Sequence, residues 1–243
     1  AHHPEHEPFF SLGRSAWKKG GSWSGSAAFN FLSNEWEQRS KVPFNPGLAS
    51  TCAWNPTAKR LVVIGSRNYT YEYDPATNTW KAFSGAHFSE EPAANAEFLT
   101  NENILYNQIG YMEGDPYQIN GKENLFKRNP DGSLTKSLLT TKGDTAWKNF
   151  EEGPGLAYAD GFLYGWSNGN KIHRLDSLDL VRNTGHWTAL NLSGIGPTVD
   201  PNSYQGTYGR FRYVPDFERF IAWNSKYSNQ LLFVAFVSLG YNL

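Results

Sequence analysis

The amino-acid sequence predicts an all-β protein built from repeated four-stranded sheets, and three observations support this prediction. In residues 52–83, two strands are joined by a turn at 55–57, and a third strand at 69–73 precedes a turn at 74–78 and Trp80. Weaker copies of this pattern recur along the chain. Helical periodicity of three to four residues is nowhere sustained, which excludes the helical repeat folds.

The N-terminus is predicted to supply the last strands of a sheet whose opening strands lie elsewhere. Residues 1–8 contain three histidines and two prolines and are expected to be disordered or tag-like, with a metal-binding tip as the alternative. A single domain is expected over 9–243. The strand at 26–31, followed by Asn34 and Trp36, repeats the later order of strand, polar turn and Trp.

The remaining repeats follow in order. The first complete one spans 48–83. The second has strands at 96–109 across a turn at 101–103, then a strand at 123–128 that ends at the turn 129–132. The third has a hairpin at 155–167 across Asp160-Gly161, a strand at 171–175 and Trp187. The fourth has a hairpin at 208–224 across 215–216, then a strand within 230–237.

The spacing of these hairpins indicates a β-propeller. Their second strands align at positions 62, 105, 163 and 221, so the steps are 43, 58 and 58 residues. Four-stranded repeats of about 40–50 residues are typical of propeller blades, and longer steps hold loop insertions. The prediction is about five blades, with four as the alternative. Strands from both termini would close the ring and remove the free edges.

One repeat resembles a known family. The run from Tyr71 through Asp74-Pro75 to Trp80 is similar to the kelch repeat, whose third strand leads into a Tyr-Asp-Pro turn and then Trp. The usual double glycine of the second strand is missing, with single glycines at Gly65 and Gly165. The resemblance, which extends to the central domain of galactose oxidase, implies a propeller. It implies no single function, since kelch-like propellers include protein-binding modules, oxidases, carbohydrate-active proteins and lyases.

Composition excludes several classes of partner. The formal net charge of -1 gives no electrostatic reason to expect nucleic acid or an anionic membrane surface as a partner. No apolar run reaches the roughly 18 residues of a membrane-spanning helix. Cys52 is the only cysteine, so neither a disulfide framework nor a cysteine zinc cluster is expected. No metal or cofactor is predicted, and the expected location is secreted or periplasmic.

The fourth hairpin holds the most distinctive charge pattern. On its first strand, Tyr208, Arg210 and Arg212 share one face, while Phe211 and Tyr213 take the opposite one. An unpaired guanidinium on an inner strand is costly, so an Arg pair there either grips a ligand carboxylate or pairs with acidic residues of neighbouring blades.

The loops between second and third strands are rich in Asn, Ser and cationic residues and are predicted to form the ligand face. Trp166 and Trp223 end their strands beside these loops, next to Asn168 and Asn224. The predicted ligand-binding residues are therefore Arg210, Arg212, Trp166, Asn168, Trp223 and Asn224. Their partner is expected to be carbohydrate or another small polar ligand.

The leading interpretation is a secreted propeller that recognises carbohydrate, with acidic polysaccharide favoured by the Arg pair. A second hypothesis is a polysaccharide lyase, with Arg210 neutralising a uronate and Tyr208 and His173 transferring protons. A third is a kelch-type protein-interaction module, and a fourth is a structural domain of a larger enzyme. A copper radical oxidase is excluded, because Cys52 is the only possible thioether residue and no Tyr-His pair exists.

Overall fold

The computed structural model describes a protein built almost wholly of β-strands. The described residues are 9–14, 24–30, 33, 35–41, 43, 51–64, 69–84, 94–99, 104–109, 123–149, 155–167, 171–176, 179–180, 182, 185–191, 211–214 and 219–222. Within them, no helix is long and apolar enough to cross a membrane.

The strands of the described residues form five sheets. The first sheet has the order β1 (Phe9–Arg14), β2 (Ser24–Asn30), β3 (Glu35–Arg39), and the second has β4 (Thr51–Asn55), β5 (Arg60–Ile64), β6 (Tyr69–Asp74), β7 (Thr79–Ser84). The third sheet runs from β8 (Ala94–Leu99) through β9 (Ile104–Ile109) and β10 (Glu123–Arg128) to β11 (Leu134–Leu139).

Among the described residues, the fourth sheet has the most strands. It runs from β13 (Gly155–Ala159) through β14 (Phe162–Trp166) and β15 (Lys171–Asp176) to β16 (His186–Asn191), and β12 (Lys142–Gly143) adds to β16 in parallel. A 3₁₀ turn, Ala146–Asn149, lies between β12 and β13. The fifth sheet consists, in the described residues, of β17 (Phe211–Val214) and β18 (Arg219–Ala222).

Two tight turns have the backbone geometry that their residues predict. Asp160 and Gly161 both have positive φ, at 49° and 83°, as a two-residue type I′ hairpin turn requires. Asn78 also has a positive φ of 54°, a conformation that Asn tolerates better than most residues. Its Oδ1 accepts a hydrogen bond from the Tyr73 hydroxyl at 2.8 Å. The predicted strand–turn–Trp pattern is therefore present in the second sheet.

The arrangement of the sheets is propeller-like. The first strands of successive sheets approach one another in chain order, β4 beside β8, β8 beside β13, and β13 beside β17. Buried residues fill the spaces between neighbouring sheets, as where Val62 and Ile64 of β5 pack with Phe126 of β10. Blades around an axis have this order, with inner strands adjacent and faces packed. The predicted strand at 230–237 lies outside the described residues, as does ring closure.

The structure adds strands that the sequence pattern did not resolve. Phe9–Arg14 pairs antiparallel with Ser24–Asn30 and extends the first sheet on the side away from β3. Leu134–Leu139 completes the third sheet beyond the turn where the prediction ended it. Leu139 of this strand is buried with Trp187 of the next sheet, so the added strand contributes to the core between the two sheets.

Candidate functional site

Most of the predicted site residues lie outside the described part of the chain. These are Asn168, Tyr208, Arg210, Trp223 and Asn224. Their predicted roles stay predictions, as does a convergence of Tyr208, Arg210 and His173. The structure describes the side chains of the remaining three, Trp166, His173 and Arg212.

Trp166 and Arg212 lie in opposite environments. Trp166 is 1% exposed, and its ring stacks on Phe211 at a centroid distance of 6.0 Å. A ring this buried has no face open to a ligand in this structure, so a ligand contact would require the core to open. Arg212 is exposed, on the face of β17 opposite the buried Phe211, which matches the predicted alternation. Ligand binding by either residue stays a prediction.

His173 is buried, with 5% exposure, on the third strand of the fourth sheet. Its ring stacks on Trp147 at 5.6 Å, and its Nε2 lies 3.5 Å from Oδ1 of Asp144. Burial lowers the pKa of His173 below its ordinary value, and the Asp144 carboxylate acts in the opposite direction. His173 therefore lies against the segment between β12 and β13 rather than in an open pocket.

Beside it lies a closed polar group, named here the Glu123 cluster, made of Tyr106, Glu123, Thr141, Lys148 and Trp187. The Glu123 Oε1 accepts bonds from the Tyr106 hydroxyl at 2.5 Å and the Trp187 indole at 3.2 Å. Its Oε2 accepts from the Thr141 amide and hydroxyl at 3.2 and 2.6 Å and from the Lys148 ammonium at 2.8 Å.

The Glu123 cluster is structural in its geometry. Glu123 and Lys148 are both buried, and both oxygens of the carboxylate have bonded donors. Burial, together with the charge of Glu123, raises the pKa of Tyr106 well above its ordinary value, so the phenol stays a donor. A buried ion pair is tolerated when such bonds satisfy both partners. The cluster therefore joins the third sheet to the fourth, and its enclosed carboxylate is not offered to a ligand.

An open polar site lies instead between the second and third sheets. We name it the rim cleft, a cavity of about 240 Å³ lined by Arg60, Glu72, Asp74, Thr79, Lys81, Phe83, Arg128 and Asp131. The strand register explains it. Glu72 pairs with Lys81 and Asp74 with Thr79, so these residues share the face of the sheet that packs toward Phe126. That face is apolar near the inner strands and charged at the outer ones.

The charged groups of the rim cleft are held in fixed pairs. Arg128 donates through Nε and Nη2 to the two oxygens of Glu72, at 2.6 and 2.9 Å, a bidentate contact between neighbouring sheets. Glu72 raises the pKa of Arg128. Arg60 pairs with Asp74 at 2.9 Å. Lys81 donates to the carbonyl of Asp131 at 3.2 Å, and its ammonium lies 4.5 Å from the Phe83 ring centroid.

The turn between β10 and β11 shapes one wall of the cleft. Gly132 has a φ of 94°, and a Cβ there would come within 2.5 Å of the Phe83 ring, so the close approach requires glycine. The carboxylate of Asp131 accepts from the Ser133 amide and hydroxyl at 2.9 and 2.7 Å. These bonds, with the Lys81 charge, lower the pKa of Asp131, so it is ionised at neutral pH.

Sequence reasoning missed the residues of both polar sites. One signal was available, since Glu72 lies between two Tyr residues in a predicted strand of a four-stranded repeat. A carboxylate at such a position predicts a cationic partner. The partner itself, Arg128, is 56 residues away along the chain, and no local pattern connects the two. Glu123 opens a predicted strand, and nothing in its neighbourhood distinguishes it.

The described residues include no group of three or more His, Cys, Asp or Glu side chains placed to hold a metal ion. The thiol of Cys52 is exposed. The side chains that line the rim cleft offer hydrogen bonds and charge, with one aromatic wall. The cleft lies at the end of the sheets that carries the β6–β7 and β10–β11 turns, away from the loops that the sequence favoured as the ligand face.

Comparisons with known proteins add similarity of fold only. No family model matches the chain, and no curated protein matches it. Among solved structures, it is similar to that of YjhT, at 13% identity and a TM-score of 0.49, over 79% of this chain and 64% of that one. It is also similar to a protein from Lactobacillus plantarum, at 12% identity and a TM-score of 0.48, over 88% and 59%. The chain spans less than two thirds of the length of either of these proteins. Similarities this distant carry no argument about function.

Proposed function

We propose that this protein is an exported, carbohydrate-recognising β-propeller whose ring of about five blades is closed by its terminal strands. We place the sugar in the rim cleft. The observation that supports the proposal is the close alternation of cationic and anionic side chains around one small cavity that has an aromatic wall. The resemblance of one repeat to the kelch repeat is compatible with this proposal and does not indicate which ligand is bound.

The cleft suits a ligand that both donates and accepts hydrogen bonds. Each sugar hydroxyl donates one bond and accepts up to two, as a serine hydroxyl does. Guanidinium and carboxylate groups bond to such hydroxyls more strongly than neutral groups do. Because Arg60, Glu72 and Arg128 are already fixed by their partners, little rotamer freedom is lost when a ligand binds.

Calorimetric titration with a panel of neutral and uronic oligosaccharides tests the proposal. Binding of at least one sugar is expected. Lys81→Met should weaken it about fivefold or more, which is the effect of losing a contact of roughly 1 kcal/mol. The matched control is Lys136→Met, since Lys136 is also an exposed lysine over an aromatic ring, Phe126, but lies outside the cleft. The affinity of the Lys136→Met variant for the sugar should equal that of the unmodified protein.

Different results would favour the competing hypotheses. Absence of binding to every sugar would remove the proposal and leave protein interaction as the next hypothesis. Binding that Lys81→Met leaves unchanged and Arg212→Ala abolishes would move the site to the predicted loop face. If a uronic polymer binds, the absorbance of unsaturated uronates separates cleavage by a lyase from simple recognition.

A further inference from the structure

We infer that the rim cleft selects a neutral, hydroxyl-rich sugar ring and discriminates against its acidic counterpart. This inference rests on the proposed function and names the ligand class of that same site. It departs from the sequence-based preference for acidic polysaccharide, which came from Arg210 and Arg212 on the fourth hairpin.

The formal charge of the cleft is balanced. Three cationic residues and three anionic residues line it, so their formal charges sum to zero; the cations are Arg60, Lys81 and Arg128, and the anions are Glu72, Asp74 and Asp131. Asp131 is ionised at neutral pH, as an ordinary aspartate is, and its lowered pKa favours the charged form further. An excess of positive charge would attract an anion electrostatically, and the lining residues of this cleft have none.

The guanidinium groups are also already committed. Arg128 binds Glu72 with two parallel bonds, and Arg60 binds Asp74. A ligand carboxylate could form a bidentate contact with either Arg only by displacing the protein carboxylate. Glu72 is 5% exposed, so the displaced charge would stay buried without its partner, which is costly. A neutral hydroxyl needs no such displacement.

The carboxylates retain capacity to accept bonds. An ionised carboxylate has about four acceptor positions. The described bonds to the Asp74 carboxylate are from the Ala76 amide at 2.9 Å and from Arg60 at 2.9 Å. Hydroxyl donors of a sugar suit the remaining positions, whereas a second carboxylate would meet repulsion there.

The size of the cleft limits the ligand to about one ring. Its volume of about 240 Å³ lies below the range of about 300–1,000 Å³ that encloses drug-sized ligands. Phe83 supplies an apolar wall for the carbon-bound hydrogens of a ring. A polymer would therefore insert a terminal residue or rest one residue in the cleft.

Matched sugars that differ only by oxidation at one carbon provide the test. Methyl glycosides of glucose, galactose and mannose are compared with the corresponding uronates by calorimetric titration at low and high salt. The best neutral sugar should bind about tenfold or more tightly than its uronate, which corresponds to about 1.4 kcal/mol. Its dissociation constant should change little with salt, since no net charge is neutralised.

A charge variant sharpens the result. Asp131→Asn removes one negative charge but keeps an oxygen that can accept the two bonds from Ser133. The ratio between the dissociation constants of a uronate and its neutral counterpart should therefore decrease about threefold or more. Equal or tighter binding of the uronates to the unmodified protein overturns the inference and leaves carbohydrate recognition intact. Binding of neither series removes the proposed function itself.

Discussion

The rim cleft and the Glu123 cluster use the same chemistry in different surroundings. Each joins two neighbouring sheets through a glutamate on a third strand and a cation from elsewhere in the chain. In the Glu123 cluster the paired side chains are 2% and 8% exposed, whereas in the rim cleft Glu72 and Arg128 are 6% and 19% exposed. The Glu123 carboxylate is enclosed by five described donor contacts, whereas the Glu72 carboxylate borders a cavity.

The difference shows that residue type alone does not separate a structural ion pair from a candidate binding site. The decisive feature is what fills the remaining space around the carboxylate. Trp147 and Trp187 meet edge to face at 4.7 Å beside Glu123 and exclude other molecules. At Glu72 the corresponding space lies behind the turn at Gly132 and stays open.

The largest expected effect is loss of the buried pair. Lys148→Met should lower the free energy of unfolding by about 3–5 kcal/mol, because it leaves the Glu123 charge buried without its cation. Urea titration measures this change in the free energy of unfolding. Lys136→Met, at an exposed lysine of β11, should change stability by less than about 0.5 kcal/mol.

The double variant Glu123→Gln with Lys148→Met should recover part of that loss, since no unpaired charge then remains. If Lys148→Met alone costs no more than its surface control, the Glu123 cluster does not join the sheets as described.

The corresponding change in the rim cleft should cost less. Arg128→Met removes both bonds to Glu72 and leaves its largely buried carboxylate with only partial solvation from the cleft, so a loss of about 1–3 kcal/mol is expected. The same urea titration applies, with Arg182→Met at an exposed position as the control. A loss as large as that of Lys148→Met would mean that the cleft is as closed as the cluster.

A smaller effect is expected at the solvent edge of the cleft. Arg60 and Asp74 have side chains 31% and 19% exposed, and exposed pairs contribute about 0–1 kcal/mol. Arg60→Met should therefore shift stability by less than about 1 kcal/mol while weakening sugar binding. Parallel titrations with urea and with ligand check both parts. A large loss of stability without an effect on binding would contradict the role given to Arg60.

The smallest expected effect is a pH dependence from His173. Because burial holds its pKa below the ordinary value of 6.5, the unfolded chain binds more protons than the folded one in the interval just below that value. The contribution of His173 is complete above about pH 6.5 and is lost as the pH falls through its folded pKa. Urea midpoints of the protein and of His173→Phe should therefore diverge on acidification, the unmodified protein falling faster. Parallel curves would contradict this.

The strands were predictable because their signals are local. Alternation, the Asp160-Gly161 turn and the Asp74–Trp80 pattern each lie within a few residues, and the structure has strands at these places. The 3₁₀ turn at Ala146–Asn149 gives no such signal, since Trp147 is placed by contacts with other strands. Tertiary packing therefore determines the conformation of that segment.

The polar sites were not predictable from the sequence, because their partners lie far apart. Arg128 meets Glu72 across 56 positions, and Trp187 meets Glu123 across 64. Only the packing of neighbouring sheets creates these contacts. Trp166 illustrates the converse, since its place at a strand end beside a polar loop was foreseen, whereas its burial against Phe211 depends on the next sheet.

The Glu123 carboxylate has a consequence for how the chain opens. It receives donors from β9, from the segment that follows β11 and from β16, so these elements and β10 meet at one shared junction. Neither sheet can separate from its neighbour without exposing this charge. Backbone amides of the third and fourth sheets should therefore exchange with solvent deuterium as a single cooperative unit, more slowly than those of the N-terminal sheet.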